Sequence, residues 1–354
     1  MNPIPLEPVD LTPDACTALV DERHPGVRIT EVSIDDVSEV TNRHVRIGWR
    51  SDPVGALPDR AFVKMVPSDP ARRVQIARTA MGPREVRFYR DLAPDLALRT
   101  PVVYGAATAD DGSFVIAMED LTATGCTVPD GTVGIGVDAA ARALEELADL
   151  HARFADDARR RAVADWIPRN TKASPYGVTL LGEALAHHRD RLSPAFATIA
   201  EWYVERCDDL QALWQAGPLT VVHGDPHLGN LFDDHGRTGF LDWGIVHQGP
   251  ALRDVGYFLA MALDPAVRRA HEPDLLRHHL ETYRAAGGDP PPFAQTWTRY
   301  RIQAAYTVVA CCQIVTFPEG ISESRRRFSE AFLARAEAAI ADLDSVGALR
   351  DAGF

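Results

Sequence analysis

The hydrophobic and polar positions at the start of the chain alternate in short runs that predict a small antiparallel sheet. A helix over Leu11–His24, begun by Thr12 or Asp14, precedes them. Three strand candidates then follow, each rich in Val, Ile or Phe: Val27–Ser33, Arg43–Trp49 and Arg60–Pro67. Pro101–Gly105 and Ser113–Met118, joined by an Asp-Asp-Gly turn, predict a closing hairpin.

Beyond Met118 the apolar spacing becomes helical. Between Val137 and Ala155 the apolar positions fall on one face of a helix and the charged positions on the other. Helical patterns recur in Asp165–Gly217, Asp254–Leu263, Pro273–Ala286, Phe293–Val315 and Ser322–Leu343. The chain is therefore predicted to be α+β, with a small antiparallel-sheet N-lobe and a larger, mostly helical C-lobe.

One stretch carries most of the candidate chemistry. Two apolar runs, Leu219–Val222 and Gly239–Leu241, flank a cluster of polar residues and lead into an acid: His223, Asp225, His227, Asn230 and Asp242. Two strands, each followed by a polar loop, would bring these side chains into one small volume. Carboxylate and amide oxygens suit Mg²⁺ and a phosphoryl group, because hard cations prefer oxygen ligands.

Lys64 is unusual because it lies between apolar neighbours in the third strand candidate. A buried ammonium without a counter-charge is costly, so Lys64 needs an acidic partner. The predicted partner is Glu85, in the first turns of a helix whose apolar stripe includes Val86 and Tyr89.

The order H-G-D-x-H-x-x-N over residues 223–230, followed twelve residues later by Asp242-Trp243, resembles the catalytic core of the aminoglycoside phosphotransferase and choline-kinase-like family. The resemblance implies a bilobal protein-kinase-like fold that moves the γ-phosphate of ATP, with Mg²⁺, to a hydroxyl of a small molecule. It implies that Asp225 is the catalytic base, Asn230 a metal ligand and Asp242 the principal metal ligand.

The same resemblance implies where the nucleotide binds. Lys64 and Glu85 would position the α and β phosphates. The loop Ile34–Asn42 would cover them, but it has no glycine, so side chains must supply the donors: Ser38, Thr41 and Asn42. The N-lobe would span residues 1–118, a hinge 119–124 and the C-lobe 125–354. Glu119 and Leu121 would contact adenine, with Met118 at the back of the pocket.

Four further residues are expected to support the loop around Asp225. We interpret His223 as orienting that loop and His227 as hydrogen-bonding backbone beneath it. His151 matches a histidine packed under the catalytic loop in similar proteins, and Asp254 matches an aspartate that opens a helix and ties the loop down.

Two other functions fit parts of the pattern. His223, Asp225 and His227 at alternate positions could line one side of a strand as zinc ligands of a hydrolase, although Gly224 and Pro226 interrupt the run. A non-catalytic nucleotide- or metabolite-binding relative would explain the glycine-free lid. A pure binder would not, however, need Asp225, Asn230 and Asp242 together.

Composition narrows the partners and the compartment. The chain has 354 residues with 37 basic against 50 acidic side chains, a net charge of −13. That balance argues against nucleic acid or an anionic membrane as a partner and is compatible with a cationic acceptor. No apolar run approaches the ~18 residues of a membrane span, and no signal peptide is evident. Five scattered cysteines are predicted to be reduced thiols, and the expected location is cytoplasmic.

Overall fold

The structure, a computed structural model, describes residues 4–354 as two compact units. The N-terminal unit comprises the described residues up to Val128 with Phe232–His235 and Gly239–Val246. The C-terminal unit comprises Pro129–Leu231, Gly236–Thr238 and His247–Phe354. This division differs from the predicted lobe boundary at residue 118, because it assigns residues 119–128 and the segment around Asp242 to the N-terminal unit. The role of 119–124 as a hinge stays a prediction.

A five-stranded antiparallel sheet in the order β1-β2-β3-β5-β4 forms the N-terminal unit. Helix α1 (Pro13–Val20) begins after Thr12, whose side chain accepts a hydrogen bond from the Ala15 amide. The remaining elements follow in chain order: β1 (Arg28–Glu39), β2 (Arg43–Asp52), β3 (Arg60–Met65), α2 (Pro70–Thr79), α3 (Met81–Asp91), β4 (Val103–Thr108) and β5 (Phe114–Met118). The predicted sheet and its closing hairpin are confirmed.

Alternation along β2 and β3 gives the sheet two different faces. Val45 and Ile47 are buried in one apolar core with Leu19 of α1. His44, the residue before Val45, is the cross-strand partner of Lys64, so both lie on the opposite face. That second face carries the polar residues from which the candidate site is built.

The C-terminal unit is largely helical. The elements that follow β5 in the chain are α4 (Val137–Arg153), α5 (Asp157–Ala164), α6 (Pro175–His187), α7 (Pro194–Trp214), β6 (Thr220–Val222), β7 (Leu231–Asp234), β8 (Arg237–Phe240), β9 (His247–Gly249), α8 (Leu252–Ala262), α9 (Pro265–Ala285), α10 (Phe293–Ala304), α11 (Thr307–Ala310), α12 (Glu323–Asp342) and α13 (Ser345–Asp351). All of them except β7 and β8 lie wholly in the C-terminal unit. Strand β6 pairs with β9 and β7 with β8, most of the latter pair belonging to the N-terminal unit. Across residues 4–354, no helix is both long and apolar enough to cross a bilayer.

An aromatic cluster centres the core of the C-terminal unit. Trp214 at the end of α7 is fully buried, stacks on Tyr203 and meets the edge of Tyr306. Its indole N–H donates to the Ile302 carbonyl at 3.0 Å. A buried indole with a satisfied N–H adds apolar contact area without an unpaired donor.

The prediction of a loop over Ile34–Asn42 is wrong for most of that range. Strand β1 continues to Glu39, which pairs with Arg43 at the start of β2. Only a turn at 40–42 remains between the two strands. Nearly every residue of β1 is exposed, because within residues 4–354 it is an edge strand paired only with β2. An exposed edge strand has no hydrophobic alternation by which it could be predicted.

Two helix predictions also need correction. Helix α9 begins at Pro265 and continues through Pro273, which was predicted to start it. The burial of Leu275, Leu276 and other residues of α9 offsets the hydrogen bond that proline cannot donate. The helix predicted over Phe293–Val315 ends at Ala304 and resumes as α11 after Tyr306.

Gly105 tests the packing of β4 on α1. A Cβ at this position would lie 2.1 Å from the Leu19 carbonyl oxygen, so Gly105→Ala should lower the free energy of unfolding by about 2 kcal/mol or more. The control is Gly182→Ala in α6, where the added Cβ would meet nothing within 4 Å apart from its chain neighbours and the nearby backbone of its own helix. That change should raise helix stability by about 1 kcal/mol. Urea unfolding measures both, and a Gly105→Ala protein as stable as wild type would contradict the packing.

Candidate active site

Lys64 holds two acidic side chains of the N-terminal unit together. Its Nζ lies 2.7 Å from Oε2 of Glu85 in α3 and 2.9 Å from Oδ1 of Asp242. Lys64 is 5% exposed and Glu85 2%, whereas the Asp242 side chain is 38% exposed. The structure therefore brings together the predicted pair and adds Asp242, whose carboxylate remains open to a ligand.

The pKa values of Lys64 and Glu85 depend on each other and on the Asp242 carboxylate. Burial acts to lower the pKa of Lys64, but the Asp242 and Glu85 carboxylates more than offset it, so the pKa is raised. Burial raises the pKa of Glu85 to about 7, with the nearby Asp242 adding to the shift and Lys64 opposing it. Lys64 is the cation that makes two neighbouring carboxylates tolerable in a buried place.

Trp243 anchors the segment that carries Asp242. Its indole lies flat on the Phe88 ring of α3, with centroids 3.9 Å apart and planes 6° apart, and both side chains are fully buried. Arg84 of the same helix donates to the Gly244 carbonyl at 3.1 Å. Asp242 has a left-handed backbone (φ 62°, ψ 69°), which is uncommon outside glycine. Helix α3 therefore positions both Glu85 and Asp242.

The predicted adenine-contacting residues follow the end of β5. The Glu119 carboxylate accepts hydrogen bonds from Arg99 and the Val102 amide, and the Glu119 amide donates to the Val102 carbonyl at 2.8 Å. Met118 and Leu121 are buried. The side chain and amide of Glu119 thus already form hydrogen bonds within the protein. Met118, Glu119 and Leu121 lie in one stretch, and their contact with adenine stays a prediction.

The predicted lid residues are not all in a loop. Ser38 is an exposed residue of β1, and only Thr41 and Asn42 lie in the turn that follows. Asn42 is buried, so its side chain is not presented on the surface as an exposed phosphate donor would be. The physical reason is that β1 and β2 pair almost to their ends and leave a turn too short to form a lid over 34–42.

His44 was not predicted from the sequence and lies next to Lys64 across the strands. Burial, followed by the Lys64 ammonium, lowers the pKa of His44 to about 4, so the imidazole is neutral near pH 7. Its ring lies 5.2 Å from that of Phe62. The alternation of β2 was the available signal, because it puts His44 on the face of Lys64.

In the C-terminal unit, Asp254 holds the loop 223–230. Its two carboxylate oxygens accept hydrogen bonds from the backbone amides of His223 (2.7 Å) and Gly224 (2.9 Å). Nε2 of His151 in α4 lies 3.1 Å from the same carboxylate. The side chains of His151, His223 and Asp254 are fully buried. Burial opposes ionisation of Asp254, but the hydrogen bond from His151 and the amides lower its pKa. His151 and Asp254 support the loop as predicted, but Asp254 does not cap α8: the N-cap is Ala251, and no side chain caps this helix.

Asp225 extends from this anchored loop with its side chain 32% exposed. Asn230 Nδ2 donates to the Asp225 carbonyl at 2.9 Å and lies 3.3 Å from its carboxylate. The Asp225 amide donates to Nδ1 of His223, and the Gly229 amide to Nδ1 of His227. Both histidines therefore shape the loop, as interpreted from the sequence.

The zinc-hydrolase alternative is not favoured. The imidazole Nδ1 atoms of His223 and His227 are occupied by backbone amides of the loop. Nowhere in residues 4–354 do three or more His, Cys, Asp or Glu side chains come together as a metal site. For Mg²⁺ the donor chemistry does fit, since Asn230 uses its amide nitrogen on Asp225 and keeps its oxygen, and the Asp242 carboxylate is accessible.

Comparison with known proteins agrees with this geometry. A sequence model described as "Phosphotransferase enzyme family" matches residues 41–296. The chain belongs to this family. A methylthioribose kinase of Bacillus velezensis is 32% identical over 97 residues, which cover 27% of this chain and only 24% of that kinase.

Two solved structures share the fold of this chain. One is a putative aminoglycoside phosphotransferase from Ralstonia eutropha, with a TM-score of 0.55 and 14% identity over 94% of this chain and 98% of that one. Another is the GDP and kanamycin complex of APH(2″)-IIIa, with a TM-score of 0.53 and 13% identity over 91% and 97% of the two chains. The predicted α+β, protein-kinase-like fold class is confirmed.

Replacing Asp254 should loosen the loop and change the response of stability to pH. Because the folded-state pKa of Asp254 is lowered, its contribution is complete above the unfolded value of about 4 and is lost as pH falls through the folded value. Asp254→Asn should therefore cost about 2–3 kcal/mol at pH 7 and progressively less below pH ~4. Unfolding of wild type and variant across pH measures the difference, with exposed Asp190→Asn as the control. A difference independent of pH would contradict the ionised anchor.

Proposed function

We propose that this protein transfers the γ-phosphoryl group of ATP to a hydroxyl of a small molecule. The observation that supports this most directly is the contact of Lys64 with both Glu85 and Asp242. Phosphoryl transfer needs a fixed cation near the phosphates and an accessible carboxylate for the metal, and these residues supply both. Catalysis then comes mostly from positioning and electrostatics, because the transition state needs little covalent help.

Five of the predicted residues have a role in this proposal. Lys64 contacts the α and β phosphates, and Glu85 keeps its ammonium in place. Asp225 accepts the proton of the acceptor hydroxyl, for which its partly exposed carboxylate is suited. Asn230 and Asp242 hold Mg²⁺, which when bound offsets the negative charge of the phosphates.

The acceptor is proposed to be a hydroxylated small molecule. Kanamycin in one similar structure and methylthioribose in the name of one relative are compounds of this class. The net charge of −13 favours acceptors with amino groups. A non-catalytic binder is not favoured, since it would not require an accessible carboxylate on a loop anchored as firmly as 223–230.

Binding of Mg-ATP can be tested before the acceptor is known. A ligand that binds only the folded protein stabilises it by about 2.7 kcal/mol at a hundred times Kd. We expect the thermal midpoint to rise with Mg-ATP, and Asp242→Ala to lose most of the magnesium-dependent part of the rise. Asp110→Ala, in an exposed turn of the same unit, is the control and should respond as wild type does. No rise for the wild-type protein would contradict nucleotide binding.

Turnover tests the role of Asp225. ADP release is measured with a panel of aminoglycosides, sugars and choline-like amino alcohols. Asp225→Asn should reduce kcat by roughly 10²–10⁴-fold, the usual contribution of a general base, and should retain the thermal shift with Mg-ATP. Asp190→Asn serves as the exposed control. Equal turnover by Asp225→Asn and wild type would remove Asp225 from this role.

A further inference from the structure

The turn at residues 40–42 lies at the Lys64 end of the N-terminal sheet. Ser38 of β1 pairs with His44 of β2, and His44 pairs with Lys64 of β3. Cross-strand partners point to the same face of a sheet, and neighbouring strands lie about 4.8 Å apart. The three side chains therefore form one row on the face of Lys64. Because the turn begins two residues after Ser38, it borders the proposed phosphate site.

Helix α2 holds this turn through Arg72. Nη2 of Arg72 donates to the Val40 carbonyl at 2.6 Å, and Nη1 donates to Oε1 of Glu39 at 3.3 Å. Both hydrogen bonds come from one planar guanidinium, whose rigid fork sets the direction of each bond as well as its length. The turn and the end of β1 are therefore attached to α2 as well as to β2.

The Glu39 carboxylate joins three segments of the chain. Besides the bond from Arg72, it accepts hydrogen bonds from the Ser68 amide at 2.9 Å and from Nε of Arg43 at 3.5 Å. Arg43 is buried, and its Nη1 donates to Oε2 of Glu7 at 2.5 Å. Burial opposes ionisation of Glu39, but the hydrogen bonds from Ser68 and Arg43 outweigh it and lower the pKa. Charge-assisted bonds from several directions thus fix the residue that precedes the turn.

The bond from Arg72 also fixes the direction of the peptide group that follows Val40. In a trans peptide the C=O and N–H groups point in opposite directions, so the Thr41 amide points away from Arg72. In the part of the chain that the structure describes, this amide forms no hydrogen bond. Backbone N–H groups in turns are donors to anions, and a phosphate oxygen would satisfy this one.

We propose that Arg72 and Glu39 are positioning residues that hold the turn 40–42 so that the Thr41 amide donates to a phosphate oxygen of ATP. This inference rests on the proposed phosphotransfer function. A turn without glycine has little freedom to adapt its backbone to a phosphate, so its arrangement must exist before the nucleotide binds. A donor that is ordered in advance adds affinity, because no ordering cost remains at binding.

The test is Arg72→Ala, compared with Arg87→Ala in α3. The two arginines are matched, since their side chains are 43% and 46% exposed and each bonds a carboxylate. Calorimetric titration measures the Kd of Mg-ATP and of adenosine, which has no phosphate. We expect Arg72→Ala to weaken Mg-ATP binding about threefold to thirtyfold and to leave adenosine binding at the wild-type level. Arg87→Ala should bind both ligands as wild type does.

A second measurement needs no nucleotide. Hydrogen exchange read by mass spectrometry should rise across residues 38–43 in Arg72→Ala and stay at the wild-type level in Arg87→Ala. Unchanged exchange there, unchanged affinity for Mg-ATP, or equal losses for Mg-ATP and adenosine would overturn the positioning role and leave the proposed function standing. If the wild-type protein binds no Mg-ATP, the proposed function fails and this inference fails with it.

Discussion

The buried ammonium of Lys64 is the interaction on which the N-terminal unit depends. It joins β3, helix α3 and the segment at Asp242, which is 178 residues away in the chain. Removing Lys64 would leave the Glu85 and Asp242 carboxylates without their counter-charge, which is far more costly than the loss of a surface ion pair. The stacked rings of Trp243 and Phe88 hold the same two segments together by apolar contact. The ion pairs of Lys64 thus bring the α3 helix and the Asp242 segment together, and the stacking of Trp243 on Phe88 adds apolar contact between them.

In the C-terminal unit a buried charged group also holds separate segments together, but there the group is an anion. A fully buried carboxylate, Asp254, is stabilised by backbone amides and by His151 instead of by a lysine or arginine. Gly224 has φ +89°, a backbone conformation that favours glycine, and this bend helps bring two successive amides to one carboxylate. The ordered loop that results can expose Asp225 without losing its own shape.

Much of this arrangement could be predicted from the sequence, and the exceptions have physical causes. The spacing from His223 to Asp242 and the cost of burying Lys64 were sufficient to predict the loop and the Lys64–Glu85 contact. Strand β1 was underestimated because an exposed edge strand lacks alternation. His44 was missed because a single histidine in a strand resembles an ordinary sheet residue, and its neighbour Lys64 lies on another strand. The acceptor could not be predicted, since fold does not determine substrate.

Strand β1 has a consequence for the behaviour of the protein in solution. Its outer edge is unpaired within residues 4–354, and Ile34, Val37 and Val40 are exposed beside it. Such an edge is a template for pairing with a second copy of the chain. The charged side chains along β1, from Glu31 to Glu39, oppose that pairing. Replacing these charged side chains by apolar ones would therefore turn β1 into an edge open to strand-paired aggregation.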